Sequence, residues 1–274
     1  MTTLTRRDFF KHSGKAALLS LFANRQLIDA RESNKQIGLQ LYTVRDLMQK
    51  DVFGTLKQVA KVGYKEVEFA GYFNVPPKEL KKVLDELGLK SPSTHISIED
   101  LRDKLETNIE IAKTLDHQFI VCPGFPITEP IIDSYKTYAA LSNKIGETLQ
   151  KAGIQFAYHN HDLEFKTVDR QIPFDVFLAE TDEKLVQIEI DLYWITKAGK
   201  DPLTYFKKYP GRFSLWHVKD MDNDGKIVDV GKGTIEFTKI FGHAREAGLK
   251  HYFVEHDDPK DAIQTITTSF EYLH

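Results

Sequence analysis

Four apolar runs in the second half of the chain end in side chains that bind cations or move protons. The run that starts at Ile154 leads into His159, Asn160, His161 and Asp162, and later runs end in Asp191, His217 and Glu255. Such a change, from apolar body to ligand-type tip, marks a site assembled at the carboxyl ends of strands. Asp191, His217 and Glu255 offer hard oxygens and an imidazole, a set suited to one divalent ion such as Mn²⁺, Mg²⁺ or Zn²⁺. His159 and His161 lie two residues apart and point to one side while the strand persists. His159, still within the strand, is the expected fourth ligand, which leaves His161 to meet substrate. Glu189 shares a face with Asp191, either as part of the interior or as a salt-bridge partner.

These tips need a frame to hold them. From Gln36 onward, β-rich apolar runs alternate with amphipathic helical patterns. Strands are expected at 37–44, 65–70, 91–95, 118–122, within 154–165, and at 185–191, 212–218 and 251–255. Helices are expected from Asp46 as N-cap through Ala60, from Pro76-Pro77 to the stop at Gly88, and over 99–115, 129–152, 173–181, 202–209, 235–247 and 259–270. Eight strands alternating with eight helices predict an α/β protein, a single (β/α)8 TIM barrel over residues 36–274. A doubly wound open sheet fits less well, because Thr43-Val44-Arg45-Asp46 is no glycine-rich phosphate loop.

In such a barrel the strand tips converge on one face. They read Gln40 and Tyr42, Glu68, His95, Cys122, His159 and His161, Asp191, His217 and Glu255. Burying several such groups costs roughly several kcal/mol apiece unless they pair or bind a cation, so a shared ion accounts for them together. Glu68 and His95 are expected to contact substrate hydroxyls, and Lys219, beside Asp220, to stand at the mouth. Trp194 and Trp216 are candidate apolar walls for a sugar ring, with core packing as the alternative. Gly231-Lys232-Gly233 either presents backbone amides and Lys232 to an anion or forms a plain turn. Asp222-Asn223-Asp224-Gly225 lacks the closing glutamate of a calcium loop and reads as a turn. Cys122 lies in an apolar run and is expected in the core.

Charge and composition narrow the classes further. The chain has 274 residues, 41% of them apolar, and a net charge of −3, which gives no basic field for a polyanion and speaks against nucleic-acid binding. A single cysteine excludes an intramolecular disulfide and a multi-cysteine zinc site. Thr5-Arg6-Arg7-Asp8-Phe9-Phe10-Lys11, followed by the apolar stretch 16–23 and by Ile28-Asp29-Ala30, is similar to a twin-arginine export motif. That resemblance implies a removable signal over 1–30, the twin-arginine export machinery as partner of the precursor, and a periplasmic enzyme that loads its metal before export. If 1–30 is instead a retained basic helix, the location is cytoplasmic. The apolar stretch is too short for stable membrane insertion. Losing residues 1–30 removes five basic and two acidic side chains and takes the charge from −3 to −6.

Ile37-Gly38-Leu39-Gln40-Leu41-Tyr42, Tyr158-His159-Asn160-His161-Asp162, Ile190-Asp191, Trp216-His217-Val218-Lys219-Asp220 and Phe253-Val254-Glu255-His256-Asp257 resemble the xylose isomerase-like TIM barrels. That family is broadly described as sugar phosphate isomerases/epimerases. The resemblance implies one divalent ion, held in the epimerases by Glu, Asp, His and Glu from the last four strands. By position these are His159, Asp191, His217 and Glu255. It also implies a small-molecule sugar substrate, isomerised or epimerised through a metal-stabilised enediolate, with Glu255, His159 or His161 moving the proton. His159 departs from the epimerase glutamate and removes one of the two carboxylates that symmetric epimerisation uses. The alternative is a dehydratase or lyase on a 3-keto-sugar, 3-keto-glycoside or inosose, to which the His-Asn-His-Asp grouping looks closer. An endonuclease IV-like nuclease would need a larger zinc cluster and a basic face. A non-catalytic exported sugar-binding barrel would keep the tryptophans and need no metal.

Overall fold

The computed structural model describes residues 36–274; the export signal assigned to 1–30 lies outside the described residues. Eight parallel strands close into a barrel: β1 (Gly38–Gln40), β2 (Glu66–Ala70), β3 (Lys90–His95), β4 (Phe119–Cys122), β5 (Gln155–His159), β6 (Val186–Asp191), β7 (Leu215–Val218) and β10 (His251–Val254). Each pairs with its neighbour in sequence, and β10 closes on β1. The short antiparallel hairpin of β8 (Asp220–Met221) and β9 (Ile227–Val228) stands between β7 and β10. The expected (β/α)8 TIM barrel is the observed fold.

Strand periodicity sorts the side chains into two layers. On β7, Trp216 and Val218 join the main core beneath the helices, whereas Leu215 joins Phe119, Val121, Ala157 and Phe253 in a separate apolar plug. Phe253 needs the space left by Gly38, where a Cβ would stand 2.5 Å from its ring. Above this floor the inward positions turn polar, and the site begins.

Several element boundaries differ from the sequence expectation, each for a local reason. The first strand stops at Gln40, because its Oε1 accepts from Tyr42 N and starts a 3-10 turn over Leu41–Val44. Asp51, not Asp46, caps the next long helix (Val52–Val62), accepting from Gly54 N. The helix expected over 99–115 breaks at Lys104 into Ile98–Asp103 and Leu105–Thr114. Asn108 Nδ2 donates to Asp100 O and Lys104 O there, so the break leaves those carbonyls satisfied. The 235–247 helix is likewise two short ones, Phe237–Phe241 and Ala244–Ala247. No helix among the described residues is long and apolar enough to cross a membrane.

Candidate metal centre

Register brings the tips of β5, β6 and β7 side by side: His159 pairs with Glu189, and Asp191 with His217. Glu255 follows directly on β10, beside β7. His159, Asp191, His217 and Glu255 are all buried, and each offers a ligand atom within 4.8 Å of the other three. His217 Nδ1 lies 2.8 Å from Glu255 Oε2, and His159 Nε2 lies 3.8 Å from Asp191 Oδ2. Asp191 is fixed from two sides: its Oδ1 accepts from Trp194 N at 2.8 Å, and Asn160 Oδ1 accepts from its backbone N–H. Its buried Oδ2 accepts no well-aligned hydrogen bond and faces the other donors. Lys219 Nζ approaches from the mouth, 3.1 Å from that Oδ2, 2.7 Å from Glu255 Oε2 and 2.7 Å from Asp257 Oδ1.

Beneath this layer lies a second one. Glu189 Oε2 is 2.7 Å from His95 Nε2, 3.1 Å from His159 Nδ1 and 3.2 Å from His217 Nε2. Glu68 Oε1 is 2.8 Å from His217 Nε2 and 3.2 Å from His95 Nε2. His95, His159, Glu189 and His217 also converge within 4.8 Å, but their contacts there are imidazole–carboxylate pairs.

Four fully or nearly buried carboxylates, Glu68, Glu189, Asp191 and Glu255, thus crowd the site, and Lys219 meets only the upper two, Asp191 and Glu255. Burial pushes Asp191 up to about 6 and, with help from Glu68, Glu189 to about 7. Burial acts the same way on Glu255, but Lys219 and His217 outweigh it and hold its carboxyl well below the usual range. His95 and His217 would lose affinity for a proton by burial alone; Glu68, Glu189 and Glu255 reverse this and raise both. His159 stays neutral, pushed well down by burial and by the charge on His217. A site that draws protons onto two histidines to balance its carboxylates fits a divalent cation, and the mixed imidazole and carboxylate donors suit Zn²⁺ or Mn²⁺.

A family model described as a xylose isomerase-like TIM barrel matches residues 56–273. The chain belongs to that family. Among relatives of this xylose isomerase-like barrel, the inosose dehydratase of Lacticaseibacillus casei is 23% identical over 259 residues, covering 79% of this chain and 84% of that protein. That of Clostridium perfringens is 30% identical over 105 residues, which span only 34% of its length. A sugar phosphate isomerase/epimerase from Parabacteroides distasonis superposes with a TM-score of 0.77 at 29% identity, covering 87% of this chain and 93% of that one. The IOLI protein, solved with a zinc atom bound, superposes at 0.68 and 15% identity over 86% of this chain and 95% of that one, a likeness of fold. The relatives carry the names of isomerase, epimerase or lyase enzymes, and this xylose isomerase-like barrel is an enzyme of that broad class.

Other expected site residues fall in different places within the xylose isomerase-like barrel. His161 stands beside the centre, its ring 5.0 Å from that of His159 and 5.5 Å from Trp194. Its loop is held by Glu164, which accepts from His161 N and Tyr158 OH. Trp194, half-buried, lies 5.7 Å from Lys219 Nζ at the mouth. Trp216 is corrected: it points away from the axis, stacks on Phe206 and is fully buried, so it cannot wall the mouth. Glu68 is corrected too, because Gln40, Ser93, His95 and His217 enclose it below the mouth. His95 remains partly open, with 11% of its side chain exposed. Of the two alternatives at Gly231-Lys232-Gly233 the turn is observed, and the anion cradle is filled from within: Asp220 Oδ2 accepts from both glycine amides at 2.9 Å, and Lys232 is exposed. Asp222 closes the hairpin turn by accepting from Asp224 N and Lys226 N, as the turn reading required. Cys122 is a buried core thiol. Asp257 was passed over, although it lies two residues beyond Glu255, a spacing that suggests the same side.

Proposed function

We propose that this barrel is a divalent-metal-dependent carbon–oxygen lyase acting on a keto-sugar, a 3-keto-glycoside or an inosose. The observation that carries the reading is asymmetry at the mouth: Glu255 faces the ammonium of Lys219 at 2.7 Å, while an imidazole, His159, and no second carboxylate stands at the tip of the fifth strand. Symmetric epimerisation needs two equivalent bases on opposite faces of the substrate; elimination needs one base and one acid.

An ion held by His159, Asp191, His217 and Glu255 would act as a Lewis acid on the substrate carbonyl. Glu255 removes the proton from the carbon beside that carbonyl. The C–H electron pair becomes the new C=C bond, the bond to the β-oxygen breaks, and Lys219 protonates the departing oxygen as water or alcohol. The proton on Glu255 then crosses to Lys219, returning both to their starting forms. His161 and Trp194 border this space, the one with two ring nitrogens for hydroxyls and the other with an apolar face.

The inosose dehydratase relatives support this reading. The structural likeness to a sugar phosphate isomerase/epimerase at 29% identity favours a second one, proton return without loss of oxygen. Incubating metal-loaded protein in deuterium oxide with keto-sugars, 3-keto-glycosides and inososes separates the two. Elimination releases water or alcohol and builds an ultraviolet-absorbing enone; an isomer or epimer with every oxygen retained would favour the second reading. Purified protein with neither bound metal nor turnover on any of them would leave a sugar-binding barrel. We further propose that residues 1–30 direct twin-arginine export, which suits an unphosphorylated substrate; cell fractionation with and without the Arg6-Arg7 pair tests it.

A further inference from the structure

Two buried carboxylates lie under the metal-facing imidazoles: both reach His217 Nε2, Glu68 the nearer and Glu189 at 3.2 Å, and Glu189 alone reaches His159 Nδ1. Glu68 Oε1 is 2.8 Å from His217 Nε2, whereas Glu189 Oε2 is 3.1 Å from His159 Nδ1. An imidazole with its proton on one nitrogen carries its lone pair on the other. A ring held at Nε2 therefore offers Nδ1, and a ring held at Nδ1 offers Nε2. The other nitrogens face the upper carboxylates, His217 Nδ1 2.8 Å from Glu255 Oε2 and His159 Nε2 3.8 Å from Asp191 Oδ2, where a shared ion would take the place of these contacts.

Neighbours hold both carboxylates, Glu68 through both oxygens and Glu189 through Oε2. Gln40, Glu68 and Ser93 are register partners across β1, β2 and β3, and Glu68 accepts from Gln40 Nε2 at 2.7 Å and from Ser93 Oγ. Glu189 is gripped by His95 at 2.7 Å, and the His95 ring stacks on that of His217, 5.2 Å away and 8° from parallel.

We infer that Glu68 and Glu189 are positioning residues for the ion of this centre, making His217 bind through Nδ1 and His159 through Nε2, with His95 locking Glu189. This rests on the metal-dependent reading above. Carboxylates that orient a ligating histidine are worth about 10–100-fold in metal affinity.

Titrating Zn²⁺ into the whole protein, followed by calorimetry and by long-range ¹H–¹⁵N spectra of the imidazoles, tests the inference. The ligating nitrogens should be His159 Nε2 and His217 Nδ1. E189Q and E68Q should each bind Zn²⁺ about 10–100-fold more weakly, with metal-free circular dichroism unchanged. H95Q keeps both carboxylates, should weaken binding less, and provides the comparison if a glutamate variant does not fold. Ligation through His159 Nδ1, or wild-type affinity in these variants, overturns the inference while leaving the metal site standing. A wild-type protein that takes up no Zn²⁺ overturns the metal reading itself, and this inference with it.

Discussion

Asp191 and His217 are direct register partners across β6 and β7, so a carboxylate and an imidazole meet at the mouth without help from any loop. Two residues earlier on β6, Glu189 faces the same interior and meets His159 of β5 from below. The centre is thus two stacked tiers set by strand spacing, the upper turned to the mouth and the lower enclosed. Rigid strands are the elements best able to hold ligands to the tolerance that metal chemistry requires.

Removing the proposed base should spare the fold. In Glu255→Gln the side chain keeps its volume and loses its basicity, and kcat should fall by about 10²–10⁴-fold. Steady-state kinetics on whichever substrate the panel identifies, together with circular dichroism of the variant, checks this. Turnover near the wild-type rate would take Glu255 out of the reaction.

Lys219 offers a stability test independent of substrate. Its ammonium is 1% exposed and touches Asp191, Glu255 and Asp257; burial works against its charge, but these three carboxylates more than compensate and raise its affinity for a proton. Lys219→Met leaves those carboxylates uncompensated. In chelator the variant should be about 3–5 kcal/mol less stable than wild type by urea denaturation. Added Zn²⁺ should narrow that gap, because an ion bound only by the folded state stabilises it. Equal stability of both proteins in chelator would mean that the ammonium is not compensating buried charge.

Much of this centre was legible in the sequence because strand geometry has a period of two. Asp191, His217 and Glu255 could be picked out as tips, and the barrel as their frame. The same period should have ruled out Trp216: it adjoins the inward His217 and must point outward. Glu68 was legible as polar but not as enclosed, since its partners Gln40, Ser93 and His217 come from three other strands. At Gly231-Lys232-Gly233 only the anion-cradle alternative failed, for a similar reason: the anion that fills the amide cradle is Asp220, eleven residues before Gly231. Pairings at such separations leave no periodic trace.

His117 makes acid stability predictable. It is buried outside the metal centre, with Nδ1 2.6 Å from Ser91 O and its ring stacked on Tyr72. Burial lowers its pKa to about 4, with the Ser91 contact only partly opposing. The unfolded chain takes up the proton as pH falls through about 6.5, and the folded protein refuses it until about 4. The contribution is therefore complete above 6.5 and is lost between 6.5 and 4, about 3 kcal/mol in all. Wild-type stability measured by denaturant at intervals across that range should fall more steeply than that of His117→Gln. Parallel slopes would show that His117 does not carry the proton uptake.

Asp220 shows how the residue next to Lys219 fixes the loop beyond it. Its carboxylate accepts from Met221 N at 2.8 Å, Gly231 N and Gly233 N at 2.9 Å, and Ile235 N at 3.2 Å. A Cβ at Gly233 would collide with this carboxylate and with Met221 O, so glycine is required for the close approach. Asp220→Ala leaves these donors without their acceptor, at about 1–3 kcal/mol for each that water does not reach. The amides of Gly231 and Gly233 should then exchange with solvent far faster than in wild type. Asp220→Asn keeps one carbonyl oxygen and should sit between the two. Lys219 shares the backbone that Asp220 anchors, so kcat should fall in step with exchange along this series. Faster exchange at unchanged kcat would separate the loop from the chemistry and confine Asp220 to the fold.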